Sequence, residues 1–163
     1  PAGFQKWKQY LYHTLPQYES LFNQIESPDD LVFAPYFDSR MSPMHYKNIV
    51  FIGDVAHALS PQLSSGTNLA LLDAKILSEK IAEYPLKKAL QKFSSERLQQ
   101  IRYYYWMSKL VTPIYQSNSS LSFIRDKLIP LGLKIDFFHD FVNMTVGGLK
   151  GGIFTKLPKK YYT

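Results

Sequence analysis

The chain contains no cysteine, which excludes disulfide bridges, thiolate catalysis and cysteine-based metal centres. No apolar run approaches the roughly 20 residues of a membrane-spanning helix, because Pro, Gly or a charge interrupts each one first. No secretory leader pattern is present either. A GxGxxG turn is also absent: the pairs Gly147-Gly148 and Gly151-Gly152 follow no strand and open no helix pattern, so they do not make a dinucleotide-binding turn. There is no internal repeat. What remains is an ordinary globular composition, 45% hydrophobic and 20% charged over 163 residues. That is enough for one domain with a real core, and it excludes disorder as a class.

The most informative stretch is Asn48 to Ala74, NIVFIGDVAHALSPQLSSGTNLALLDA. Ile49, Val50, Phe51 and Ile52 form a continuous apolar run rich in β-branched residues, the pattern of a strand covered on both faces as in a parallel sheet. Gly53 ends it. Asp54 follows at the strand's carboxyl end, where open α/β sheets place their ligands. An ionised carboxylate only accepts hydrogen bonds, so Asp54 suits a hydroxyl-bearing ligand; the plainer role is to cap a short helical turn at Val55 and Ala56. Past Pro61, the apolar residues Leu69, Leu72, Ile76 and Leu77 mark one face of a helix that begins near Gly66. Its first amides carry the positive end of the helix dipole, and small residues around them let an electron-rich ligand edge reach the backbone. The plainer reading there is a Ser/Thr/Asn cap after a loop.

In residue type and spacing, Gly53-Asp54-Val55-Ala56-His57, Pro61, Gly66-Thr67-Asn68 and Asp73-Ala74 resemble the second flavin-binding motif of the FAD-dependent aromatic hydroxylases, the para-hydroxybenzoate hydroxylase-like family. The resemblance implies cofactor contacts at Gly53, Asp54, Pro61, Gly66, Thr67 and Asn68. Asp54 would meet the ribityl chain of FAD, Pro61 would border the flavin ring and substrate, and the backbone of Thr67 and Asn68 would meet the ring's pyrimidine edge. It further implies NADH or NADPH as reductant and dioxygen as the source of an oxygen atom for an organic substrate, aromatic compounds included. Ser64 and Ser65 stand where many relatives carry glycine and glutamine, and serine reaches positive φ less cheaply than glycine. His57 follows the family pattern too but reads as structural, with no obvious partner nearby in sequence.

Members of that family open with a strand, a GxGxxG turn and a helix that hold the FAD pyrophosphate, so the expectation is that a chain starting at Pro1 is a carboxyl-terminal part. The expected fold is α+β and predominantly helical: the last strand of an FAD-binding, Rossmann-like α/β domain, part of a substrate-domain strand, and a helical carboxyl-terminal tail. Residues 1–47 read as the end of the substrate-binding region and the return to the flavin domain, 48–84 as the flavin motif, and 85–163 as the tail. Phe4, Trp7, Leu11 and Leu15 predict a helix ended near Pro16, with a second short helix over Tyr18 to Ile25. After the turn Ser27-Pro28-Asp29-Asp30, Leu31 to Phe37 reads as a strand with Pro35 at an edge or break. Arg40, Met44 and His45 fall on the return, and each reads as solvated loop in preference to active-site lining. The motif helix should stop at Pro85, and a longer one should run from Leu86 to Leu110 and be kinked or ended by Pro113. Gln116 to Ser122 is a polar connection. Helices over Leu121 to Pro130 and Ile135 to Met144 follow, and Lys156 to Thr163 reads as a frayed basic tail.

Four Lys and Arg stand against seven Asp and Glu before Lys75, and fifteen against six from Lys75 onward. The lysines are spread out, so they read as a solvated helical face, although peripheral membrane contact stays open. Tyr103 to Trp106 read as packing aromatics and not as a base-stacking platform, so no nucleic acid is expected as a partner. No side chain is assigned as a catalytic acid or base, and no metal site is expected. The expected partners are an amino-terminal FAD-binding half or a second copy of the chain, together with a small organic substrate, in a cytoplasmic setting. Two alternatives stand beside the monooxygenase reading: a related flavin reductase or halogenase, and a non-catalytic helical interaction module that keeps the motif as scaffold.

Overall fold

A computed structural model describes residues 2–35, 37–116 and 121–161. The chain divides into two compact units, Pro1–Tyr36 and Phe37–Thr163.

In the first unit, helix α1 spans Ala2–Thr14. A 3-10 turn at Pro16–Tyr18 leads into the single turn α2, Glu19–Phe22. Phe22 is buried against the Tyr12 ring, with centroids 6.0 Å apart, and the Tyr12 hydroxyl donates to Asn23 Oδ1 at 2.7 Å. Ser27 and Asp30 form a reciprocal capping box around a 3-10 turn at Pro28–Asp30. The strand expected over Leu31 to Phe37 does not form among the described residues, and Val32 and Phe33 are each 89% exposed. The β-branched and aromatic residues there have no ladder to join, and propensity without a cross-strand partner does not hold a strand. Tyr36 lies outside the described residues.

The second unit is organised by two long helices. A hairpin pairs β1, His45–Tyr46, antiparallel with β2, Ile49–Val50. The pairing extends less regularly on both sides, with Phe51 N–H donating to the Met44 carbonyl at 2.9 Å, Met41 N–H to Ala56 at 2.8 Å and Ser39 N–H to Ala58 at 2.7 Å. The covered parallel strand expected over Ile49 to Ile52 is therefore a two-residue strand with Ile49 59% exposed. Among the described residues it has a neighbour on one edge only. Met44, read as solvated loop, is fully buried, and its N–H donates to Ser94 Oγ at 2.9 Å.

Helix α3 spans Asp54–His57, and a 3-10 turn at Pro61–Leu63 precedes α4, Gly66–Glu83. Only Tyr84 and Pro85 separate α4 from α5, Leu86–Gln116, a connection short enough to fold the two helices back on each other. Leu69, Leu72 and Ile76 of α4 meet Phe93, Ile101 and Tyr104 of α5 in the core. Pro113 does not stop α5, which runs on to Gln116. Near a helix end, proline forfeits one hydrogen bond, and Val111, two residues before it, packs on the core.

The polar connection after Gln116 falls partly on residues 117–120, outside the described residues. A short helix α6, Leu121–Phe123, passes through a π-helical turn at Ile124–Leu128 into α7, Ile129–Gly132. Pro130 thus sits in the first turn of α7, where its missing donor costs little. Helix α8 spans Asp136–Val146. Tyr103 and Tyr104 pack under it, as the Tyr104 hydroxyl donates to the Thr145 carbonyl at 3.0 Å and the Tyr103 hydroxyl lies 3.1 Å from Thr145 Oγ1.

The carboxyl-terminal segment is not frayed as far as Tyr161. Tyr161 is 7% exposed, its hydroxyl donates to Glu96 Oε1 at 2.8 Å, and Lys160 pairs with Glu79 at 2.8 Å. Within the stretch that read as a loose tail, Lys160 is tied to Glu79 on α4 and Tyr161 to Glu96 on α5.

Candidate functional site

The turn after β2 depends on a residue without a side chain. Gly53 has φ 61° and ψ −148°, a region that only glycine occupies without strain, and a Cβ there would stand 3.3 Å from the Ala70 Cβ. The Gly53 N–H donates to Asp73 Oδ2 at 2.8 Å. Asp73 is wholly buried on α4, where it also accepts from Arg97 Nε at 2.6 Å and from His57 Nε2 at 2.6 Å. Arg97 continues outward: Nη2 donates to the Leu69 carbonyl at 3.2 Å and Nη1 donates to Gln100 Oε1. Gln100 Nε2 in turn donates to the Gly148 carbonyl at 2.7 Å. One buried carboxylate therefore fastens the turn that carries Asp54 to both long helices. Burial alone would raise the Asp73 pKa, but the His57 hydrogen bond, the Arg97 charge and the Gly53 amide together hold it below the ordinary carboxylate value. His57 is structural, as its sequence context suggests, and its partner lies sixteen residues downstream.

A second carboxylate holds the opposite wall. Asp38 accepts from the Ser60 N–H at 2.5 Å and from Ser108 Oγ at 2.8 Å, with Lys109 at 3.5 Å. It pins the backbone just before Pro61.

Between these anchors lies an open groove of about 580 Å³, lined by Asp54, Leu59 and Ser60 to Pro61 on one side and by Ser64 to Thr67 and Ala70 on the other. Asp54 is the first residue of α3, whose N-cap, Gly53, supplies no side-chain capping bond. Its Oδ1 lies 3.8 Å from where a Gly66 side chain would begin, so the carboxylate faces the start of α4. Ser65, at the N-cap of α4, makes no capping bond either. The first amides of that eighteen-residue helix thus have no capping partner among the described residues. The hydroxyls of Ser60 and Ser65 are likewise buried and unpartnered among the described residues. Ser64 is left-handed at φ 50°, a conformation costing a non-glycine residue on the order of 1 kcal/mol.

Of the residues singled out from the sequence, Asp54, Pro61, Gly66 and Thr67 converge on this groove, and Gly53 shapes it from behind. Asn68 does not line it; its side chain donates to the Val146 carbonyl at 3.2 Å. Arg40 lies elsewhere, over the Tyr105 ring at 5.5 Å. The sequence reading missed Asp38, Arg97 and the part played by Asp73. A signal for the last two was present: Asp73 interrupts the apolar stripe Leu69, Leu72, Ile76, and Arg97 interrupts Phe93, Ile101. A charge within an apolar stripe must find a buried partner. No group of acidic or histidine side chains among the described residues is arranged to hold a metal ion. No helix among them is long and apolar enough to cross a membrane.

This combination of a glycine-aspartate turn, a groove and an uncapped helix start coincides with a family match. Residues 27–103 match the family model of the FAD binding domain, so the resemblance to the FAD-dependent aromatic hydroxylases stands, with FAD as the family's cofactor. Among individual proteins, the chain is similar to kynurenine 3-monooxygenase of Drosophila willistoni, 34% identical over 61 residues, which is 37% of this chain and 13% of that protein. It is also similar to kynurenine 3-monooxygenase of Phaeosphaeria nodorum, 36% identical over 66 residues, covering 39% of this chain and 14% of the relative. The matched stretch therefore spans about one seventh of these curated relatives. No solved structure matches the chain.

Proposed function

We propose that this chain supplies the ribityl-facing and ring-facing side of the FAD site in a flavin-dependent monooxygenase. The supporting observation is the uncapped start of α4 opening onto the same groove as the Asp54 carboxylate. The donor set fits the cofactor. An acceptor-only carboxylate suits ribityl hydroxyls, and amides at the positive end of a helix suit an electron-rich ring edge. Bound there, FAD supplies the redox chemistry, drawing electrons from NADH or NADPH and passing an oxygen atom from dioxygen to an organic substrate. The chain's own work is to orient and to polarise. Asp54 accepts from the hydroxyls and so fixes the reach of the ring, and Pro61 gives an apolar wall with no donor of its own. The α4 amides stabilise the negative charge that the ring edge gains on reduction, without reorganising. The names of the two relatives make kynurenine the first substrate to test.

In the full-length protein, Asp54→Ala is expected to weaken FAD binding about tenfold or more. That follows from losing a hydrogen bond to a charged group, worth ~1.5–3 kcal/mol. Near-ultraviolet circular dichroism should show the fold retained. Flavin titration giving wild-type affinity would overturn the ribityl assignment.

The half-paired strand supports a proposal about partners. Ile49, Ile52 and Val55 are 59%, 38% and 71% exposed, next to a strand edge with no neighbour among the described residues. An open edge beside apolar surface favours pairing with further strands. We therefore propose that an amino-terminal FAD-binding half, or a second copy of the chain, covers it. In sedimentation velocity the isolated chain should self-associate over the micromolar range, and a stable monomer throughout would contradict this.

A further inference from the structure

We propose that the carboxyl-terminal segment holds a second ligand pocket, one that takes a small carboxylate with an apolar body the size of a single ring. Phe137, Phe141 and Met144, spaced three and four apart on α8, form one wall. The other wall is the turn closed by the Lys150–Lys156 bridge, in which the Gly151 N–H donates to the Thr155 carbonyl at 2.9 Å. The pocket is a half-open hollow of about 210 Å³, rimmed by the exposed Phe137 and Phe154, and shares no lining residue with the flavin groove. That volume lies below the roughly 300–1,000 Å³ of sites for drug-sized ligands, which limits the body to one ring.

The charge in the pocket decides the class of ligand. Lys150 is only 6% exposed. Its ammonium has three donors; one goes to the Ile153 carbonyl at 2.6 Å, and the Phe141 ring centroid lies 4.8 Å away. Among the described residues no carboxylate pairs with it, and Lys156 brings a second ammonium to the same pocket, also without an ion pair among those residues. Desolvation and the Lys156 charge push the Lys150 pKa down, the direction expected where a counter-charge is lacking. Asp140 also borders the pocket, but its side chain is 80% exposed and lies 3.9 Å from His139, so water screens it. A carboxylate seated between the two ammonium groups supplies the missing charge, while its ring covers Phe137 and Met144.

The test uses the full chain with methyl-labelled methionine. Met144 lines the pocket, whereas Met44 is buried in the core of the unit. Benzoate should shift the Met144 methyl resonance saturably, leave that of Met44 in place, and bind roughly tenfold more tightly than the neutral benzamide. Lys150→Gln should cut that difference several-fold, leaving the smaller preference that Lys156 supports. Should Lys150→Gln fold poorly, the exposed Lys156→Gln should still weaken benzoate several-fold. Equal affinity for benzoate and benzamide, a shift that spares Met144, or undiminished benzoate binding in Lys156→Gln would each overturn the assignment.

Discussion

Asp73→Asn is expected to destabilise the protein by roughly 3–5 kcal/mol, the usual consequence of removing one member of a fully buried ion pair. Arg97 is 1% exposed and would keep its charge without the carboxylate that now accepts from its Nε. The Gly53 amide and His57 would lose their charged acceptor in the same step. Urea unfolding of wild type and variant measures the difference through the midpoint at constant slope. The double variant Asp73→Asn/Arg97→Met should recover part of the loss, since it no longer buries an uncompensated cation. A loss under about 1 kcal/mol in Asp73→Asn would show that the network carries little of the fold.

Acid titration provides a separate reading of the same group. The folded-state pKa of Asp73 is lowered from its ordinary value of 3.8. The stabilisation from its ionised form is therefore complete above the ordinary value and lost as pH falls toward and through the lowered one. Wild-type stability should decline through that acid window, and Asp73→Asn should show a shallower decline.

Gly53→Ala is expected to cost about 2–4 kcal/mol, combining a glycine-only backbone conformation with a Cβ pressed against α4. Relief of the contact alone should not rescue it. With Ala70→Gly added, the 3.3 Å approach to the Ala70 Cβ disappears but φ 61° and ψ −148° remain unfavourable, so most of the loss should persist. Because Asp54 is the next residue, a folded Gly53→Ala protein should also bind FAD more weakly. Unfolding within about 0.5 kcal/mol of wild type would mean that the turn relaxes to another conformation at no cost.

The sequence alone determined what depends on neighbours a few residues apart. Apolar spacing marked α1, α4, α5 and α8, Pro85 set the break between the two long helices, and glycine followed by aspartate before a small-residue helix start marked the groove. Helical periodicity and turn chemistry are local, so they are legible without a partner. Tertiary structure decided the rest. Ile49 to Ile52 and Leu31 to Phe37 carry strand composition, yet a strand exists only where another segment accepts its hydrogen bonds, and the described residues provide that only from Ile49 to Phe51, opposite Met44 to Tyr46. The same holds for charge. Asp73 and Arg97 are 24 residues apart, Asp38 and Ser108 are 70 apart, and Tyr161 reaches Glu96 across 65. The apolar stripes that Asp73 and Arg97 interrupt show that each needs a buried partner, and only the packing of α4 on α5 makes each the partner of the other. Burying a charge is unfavourable until its counter-charge arrives, and that arrival depends on the whole fold and not on sequence spacing.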